Sequence, residues 1–200
     1  MQSTTYERFA GTCAILAALG GVAYGIAFVI LGDKLLYSIL LMLGGMLSAV
    51  ILVALYQRLR EGNDSVALLA LLIGLLGALG SVTHGGYDLA TRIHPPGIDA
   101  QAVGSVPLQI DPRGLLTFGF SGLGLFLFAS LMARSRRFPA GLANLGYVLG
   151  VLLIVIYLGR LIILDPTNII VRIALLAGVL VNTIWFIWLG LTLRRASSAA

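Results

Sequence analysis

This chain is organised around six long apolar stretches, and their length limits the folds it can adopt. A helix needs about 20 predominantly apolar residues to cross a bilayer. Only 10% of the residues are charged, against about 25% in a typical soluble domain. The sequence therefore predicts an all-α integral membrane protein, a single domain over residues 1–200 whose six transmembrane helices form a compact bundle. The predicted spans cover roughly 9–31, 35–57, 66–90, 114–133, 141–164 and 173–193.

The thirteen basic residues are divided unequally between the two sets of connections. Lys and Arg in short loops stay on the cytoplasmic side of a membrane. The larger set predicts that both termini are cytoplasmic, and it places the net charge of +5 beside anionic lipid headgroups. We therefore expect membrane lipids as partners, and no nucleic acid. The larger set consists of Arg8, Arg58, Arg60, Arg134, Arg136, Arg137, Arg194 and Arg195.

One connection is much longer than the others. It runs from about 91 to 113, between the third and fourth predicted helices, and lies on the outer side in this topology. Loops longer than about 12–15 residues are usually functional segments or disordered linkers. It mixes four prolines with several apolar residues. The segment is predicted either to fold over the outer helix ends as a lid or to serve as a plain connector.

The third predicted helix ends in a cluster of polar side chains. His84, Asp88 and Arg92 follow one another at intervals of four residues, which places them on one helical face, and Tyr87 lies beside them. Polar groups inside a bilayer are costly and mark functional sites. Because these residues are far from the cytoplasmic start of the helix, we expect their side chains near the outer membrane boundary.

Two arginines lie in apolar sequence at the predicted outer ends of the fifth and sixth helices, Arg160 and Arg172. Arginine binds carboxylate and phosphate through parallel hydrogen bonds, so an anion pocket is expected where both meet the third helix. In the alternative, these charges pair with one another or extend to the headgroups. The predicted ligand-binding residues are His84, Tyr87, Asp88, Arg92, Arg160 and Arg172.

Several kinds of chemistry find no support in the residue content. One cysteine, Cys13, and two histidines, His84 and His94, are a poor ligand set for zinc or haem, so we predict no metal site and no cofactor. The sequence contains no phosphate-binding glycine loop and no Gly-x-Ser-x-Gly elbow. Asn182, near the middle of the last predicted helix, is expected to hydrogen-bond a neighbouring helix.

Three classes of function fit these observations. The leading hypothesis is a non-enzymatic protein that binds, or helps to transport, a small amphipathic or anionic molecule in an outer-leaflet pocket between helices three, five and six. Its architecture is similar to that of the substrate-binding subunits of vitamin-uptake systems, without a shared residue motif. The second is an intramembrane lipid-modifying enzyme in which His84 acts as general acid or base, oriented by Asp88, while Arg160 or Arg172 holds a phosphate. The third is an accessory subunit of a membrane complex.

Two further expectations concern the location and the assembly of the protein. Its compactness favours a prokaryotic plasma membrane. Glycine-rich helix faces are suited to close contact with other helices, so the sequence leaves open whether the chain forms a homo-oligomer or joins a partner membrane subunit.

Overall fold

Over the residues that the structure describes, the chain consists of helices and short connections. This computed structural model describes residues 5–95, 114–163 and 169–195, with the backbone only at 160, 163 and 170–172. A π-helical turn, Ile26–Leu31, extends the first helix, and another, Leu115–Phe120, leads into the fourth. The α-helices within these ranges are α1 (Thr5–Gly25), α2 (Lys34–Leu59), α3 (Asp64–Ile93), α4 (Ser121–Arg134), α5 (Ala140–Ile163) and α6 (Ile169–Arg195).

The six helices form a closed ring in sequence order. Each helix packs against the one before and the one after it, and α6 packs against α1. Where the connection is short, as between α2 and α3 or between α4 and α5, the two helices must run antiparallel. One end of the ring, called the terminal end below, contains the helix ends at Thr5, Leu59, Asp64, Arg134, Ala140 and Arg195; the opposite end is called the far end.

Polar residues in the short connections define where two of the helices begin. The carboxylate of Asp33 accepts a hydrogen bond from the backbone N–H of Leu36 at 3.1 Å, at the start of α2. The side chain of Asn63 accepts one from Val66 N–H at 3.1 Å, at the start of α3. Such caps satisfy backbone donors that have no partner within the helix. Gly32 closes the preceding turn with a positive φ of 62°, a conformation that favours glycine.

Glycines bring the backbones of neighbouring helices into close contact. A Cβ on Gly45 of α2 would lie 2.6 Å from the carbonyl oxygen of Ala78 in α3. Gly122 and Gly150 play the same role between α4 and α5, where each lies against the other's carbonyl oxygen. Within a bilayer no hydrophobic force drives helices together, so close van der Waals packing must hold them.

The outward faces of the ring are strongly apolar. The side chains of Ile30 and Leu180 are 74% and 63% exposed, although soluble proteins seldom present large apolar patches to water. Within the described part of the chain, six helices, counted with their π-helical turns, are long and apolar enough to cross a membrane. The prediction of an all-α chain with six such helices is confirmed.

Two other predictions about topology fall outside what these helices test. The placement of both termini in the cytoplasm stays a prediction. The segment predicted as the long outer loop, 91–113, begins with the last turn of α3, which ends at Ile93, and from residue 96 onward it lies outside the described ranges.

Candidate functional site at the centre of the helix ring

A cavity of about 170 Å³ lies inside the ring, near the middle of the helices. Five of the six helices contribute to its wall. Most of the wall is apolar, formed by residues such as Leu52, Phe118 and Phe186. Hydroxyl and amide groups interrupt this surface, and they come from Ser48, Ser81, Thr117, Ser121 and Asn182.

A second cavity of about 130 Å³ adjoins the first and extends between α1 and α2. Gly20 and Gly44 lie in its wall, and a Cβ at either position would meet no atom within 4 Å. The open space beside these glycines separates α1 from α2 at this level. The two cavities share the wall residues Leu41, Ser48, Ser81, Asn182 and Phe186.

A buried histidine, aspartate and threonine lie directly beside the central cavity. His84 and Asp88 are each 8% exposed, and Thr117 is 5% exposed. Nε2 of His84 lies 3.6 Å from Oδ2 of Asp88, and Nδ1 lies 3.3 Å from Oγ1 of Thr117. Because Thr117 also lines the cavity, these three side chains form a polar row from the cavity towards the far end. We call this row the His84 site.

Local backbone structure brings the three groups together. His84 and Asp88 are four residues apart in α3 and therefore share one helical face. Thr117 lies in the π-helical turn Leu115–Phe120, and π-helical turns occur frequently at functional sites. Gly80 lets this turn approach α3, since a Cβ there would lie 3.0 Å from the backbone nitrogen of Thr117.

The arrangement has the order carboxylate, imidazole, hydroxyl. A threonine hydroxyl can donate a hydrogen bond to the imidazole or accept one from it, depending on the tautomer of His84. The 3.6 Å between His84 and Asp88 is an ion-pair distance, longer than a hydrogen bond of the usual 2.7–3.2 Å. The row can therefore orient a polar group in the cavity, or polarise the Thr117 hydroxyl through His84.

The predicted site residues do not all lie in this row. The structure brings His84 and Asp88 together, whereas Tyr87 is 52% exposed and Arg92 is exposed near the end of α3. The backbones of Arg160 and Arg172 belong to α5 and α6, but their side chains lie outside the description. A cluster of both arginines with His84 stays a prediction.

The sequence reasoning did not identify several polar residues of the cavity. Thr117 and Ser121 are four residues apart in the fourth span, and Ser48 lies in the second. A signal was present, because hydroxyl residues inside a span at helical spacing tend to share one face. The signal is weak, because a hydroxyl inside a helix can also bond to the backbone of its own helix and then marks no cavity.

Asn182 differs from its expected role. Its side-chain amide lies against Gly21, where a Cβ would be 3.1 Å from Nδ2, and it makes no hydrogen bond with another residue in ranges 5–95, 114–163 and 169–195. The predicted interhelical hydrogen bond is therefore not found among these residues. The neighbour of this amide in α1 is Gly21, which has no side chain to donate or accept.

Within the described ranges, no group of three or more His, Cys, Asp or Glu side chains lies close enough to hold a metal ion. The chain matches no protein-family model, no curated protein and no solved structure.

Proposed function

We propose that this protein binds a small amphipathic molecule in its central cavity and helps it to cross or leave the membrane. The observation that carries the proposal is a mainly apolar cavity inside the helix ring, interrupted by a few polar groups. Ligand sites in proteins typically combine an apolar wall with a small number of orienting polar groups. The membrane we propose is a prokaryotic plasma membrane, with both termini cytoplasmic.

The wall of the cavity favours an uncharged ligand over an anion. Its polar groups are hydroxyls, an amide and the indole of Trp185, and none of the lining residues that the structure describes is charged. The indole N–H already donates to the carbonyl oxygen of Leu142 at 3.1 Å, which leaves the hydroxyls and Asn182 to bind a ligand. A volume of about 170 Å³ lies below the range of about 300–1,000 Å³ typical of drug-sized ligands, so the molecule is small.

The second cavity supports a lateral route from the lipid. An amphipathic molecule dissolves in the bilayer, and the space beside Gly20 and Gly44 lies between two helices that face lipid. Asn182 and Ser48 line both cavities and can keep hydrogen bonds to the ligand as it moves inward. A ligand that enters by this route needs no opening at either end of the helix ring.

Mass spectrometry of the small molecules retained by the purified protein in nanodiscs tests the proposal. A compound enriched over empty nanodiscs is expected with the wild type. Asn182→Leu keeps the volume and removes the amide, so retention should fall about tenfold, the effect of roughly 1.4 kcal/mol. Thr183→Val is the matched control, because its hydroxyl bonds the carbonyl oxygen of Val179 in its own helix at 2.8 Å. No enriched compound, or equal retention by Asn182→Leu, would overturn the proposal.

The His84 site favours one alternative, an enzyme that modifies a lipid within the membrane. In that reading, His84 accepts the proton of the Thr117 hydroxyl as its oxygen attacks an ester carbonyl of the lipid, and Asp88 stabilises the imidazolium. The ester bond to the lipid alcohol breaks, His84 returns the proton to that alcohol, and water then hydrolyses the acyl-threonine. The 3.3 Å between Nδ1 and Oγ1 is close to the geometry that such proton transfer needs.

Incubation of the purified protein with lipid extract distinguishes the two functions. Turnover of a lipid ester that is lost in Thr117→Val and in His84→Ala, with the melting temperature retained, would support the enzyme. Turnover unchanged by either substitution would exclude this role for the His84 site. A compound that is retained but chemically unaltered supports binding or transport instead.

A further inference from the structure

A separate cavity of about 370 Å³ lies at the terminal end of the ring. It lies between the connection from α2 to α3 and the connection from α4 to α5, and the last residues of α2 and α4 also line it. Three of its lining residues are arginines, and one is a glutamate. The residues that line it are Arg58, Leu59, Glu61, Gly62, Asn63, Leu131, Arg134, Ser135 and Arg137.

Contacts with Glu7 and Phe138 position the side chain of Arg58 in the wall of this cavity. Its side chain is 13% exposed and lies 3.6 Å from the carboxylate of Glu7. Its guanidinium stacks over the ring of Phe138, 5.0 Å from the centroid. Nη1, the atom nearest to Glu7, is buried and makes no hydrogen bond among the described residues, and Nη2 donates to the carbonyl oxygen of Arg137 at 3.5 Å.

The other two arginines, Arg137 and Arg134, differ in the contacts that their side chains make. Nη1 of Arg137 donates to the carbonyl oxygen of Arg58 at 2.7 Å, and its guanidinium pairs with Glu61. Arg134 is exposed and makes no side-chain hydrogen bond or ion pair with any residue of the described ranges. Glu7 and Glu61 compensate Arg58 and Arg137, so the excess positive charge at this cavity is that of Arg134.

We propose that this cavity, called the arginine site below, binds the phosphate group of a phosphate ester. Guanidinium groups bind phosphate through paired, charge-assisted hydrogen bonds. Leu59 and Leu131, which are 3% and 6% exposed, form an apolar part of the same wall, suited to the glycerol and acyl portion of a lipid. The phosphate comes from an anionic phospholipid or from a soluble ester, and the experiment separates these sources.

Native mass spectrometry of the detergent-purified protein, titrated with phosphatidylglycerol or phosphatidylcholine, tests this site. Phosphatidylglycerol should bind and survive gentle activation, whereas phosphatidylcholine, whose net charge is zero, should bind more weakly. Arg134→Gln removes a cation that makes no described contact, so the fold should be retained and the lipid should bind about tenfold more weakly. Arg136→Gln removes an equal charge from the same connection outside the cavity wall and should change binding by less than about twofold.

Each outcome of the titration has a defined meaning. Displacement of the lipid by glycerol 3-phosphate, again weakened in Arg134→Gln, assigns the site to soluble esters. Retention of the lipid in the presence of that ester assigns it to phospholipid. Equal losses in Arg134→Gln and Arg136→Gln would show a general charge effect and overturn the proposal, as would equal binding of both lipids without displacement by glycerol 3-phosphate. The result does not depend on the ligand of the central cavity.

Discussion

The His84 site and the arginine site both gather polar side chains, but the ring builds them in opposite ways. His84, Asp88 and Thr117 are each less than 9% exposed and meet through packing of α3 against the turn before α4. In the arginine site, Glu61 is 61% exposed, and its groups lie on the ends of α2 and α4 and on the connections that follow them. A polar group surrounded by lipid or packed helices must find a protein partner, whereas a group at a helix end also has water and headgroups. A polar group in the middle of the ring must therefore be paired within the protein, whereas a polar group at a helix end can stay partly exposed.

The largest loss of stability is expected for an ion pair beside the arginine site, because this pair is buried although it lies at the helix ends. The ion pair of Arg58 and Glu7 has both side chains only 13% exposed. Glu7→Gln should therefore lower the free energy of unfolding by about 3 kcal/mol, because it leaves a buried guanidinium without its counter-charge. Unfolding by SDS in mixed micelles measures this loss. A loss no larger than that of Glu61→Gln would place the Arg58 pair among exposed contacts and break the distinction.

The His84 site should be sensitive to small changes in helix packing. A Cβ on Gly85 would lie 2.5 Å from the carbonyl oxygen of Ser38, so Gly85→Ala should separate α2 from α3 and cost about 2 kcal/mol. Gly86 is the matched control, since a Cβ there meets nothing within 4 Å. Gly86→Ala should be neutral or slightly stabilising. Melting temperatures of the two variants in the same detergent give the comparison, and equal values would contradict it.

The contact between His84 and Thr117 predicts a moderate effect on stability. Thr117→Val keeps the shape of the side chain and removes the hydroxyl that lies 3.3 Å from Nδ1 of His84. The expected loss is about 1 kcal/mol, the net value of one hydrogen bond. Thr183→Val is again the control, because it removes a hydroxyl that bonds only its own helix. If both variants unfold at the same SDS fraction, the His84 contact does not stabilise the fold.

The smallest effect is expected for the exposed pair of Arg137 and Glu61. Glu61→Gln should cost less than about 1 kcal/mol, since exposed ion pairs contribute little. The loss should vanish in 1 M salt, where screening acts over roughly 3 Å. The loss caused by Glu7→Gln should persist in the same salt, because its pair is largely buried. Unfolding measured at low and high salt for both variants sharpens the contrast between enclosed and exposed pairs.

Much of the helical structure could be predicted from residue pattern alone. The predicted span 35–57 corresponds to Lys34–Leu59, and 66–90 corresponds to Asp64–Ile93. The nearness of His84 and Asp88 could also be predicted, because four residues make one helical turn. The contact of His84 with Thr117 could not, since 33 residues separate them and their approach depends on a π-helical turn and on Gly80.

The arginine site shows the same limit at the other end of the ring. The contacts between Arg58 and Arg137 join residues 79 positions apart, on connections that the sequence places on one side of a membrane. Charge counting identified that side as basic. It could not show that Arg58 stacks on Phe138 or that a cavity separates it from Arg134, because side-chain packing between distant connections has no local pattern.

The sequence by itself determined the number of helices, their approximate ends and their apolar outer surface, because hydrophobic length and period are local properties of the chain. Only the tertiary structure decided which polar residues meet. Closure of the ring, through contact of α6 with α1, encloses a central cavity, and the positions of the glycines decide how closely each pair of helices approaches. Those contacts join distant parts of the chain, and the same apolar spans packed in another order would bring different polar groups together.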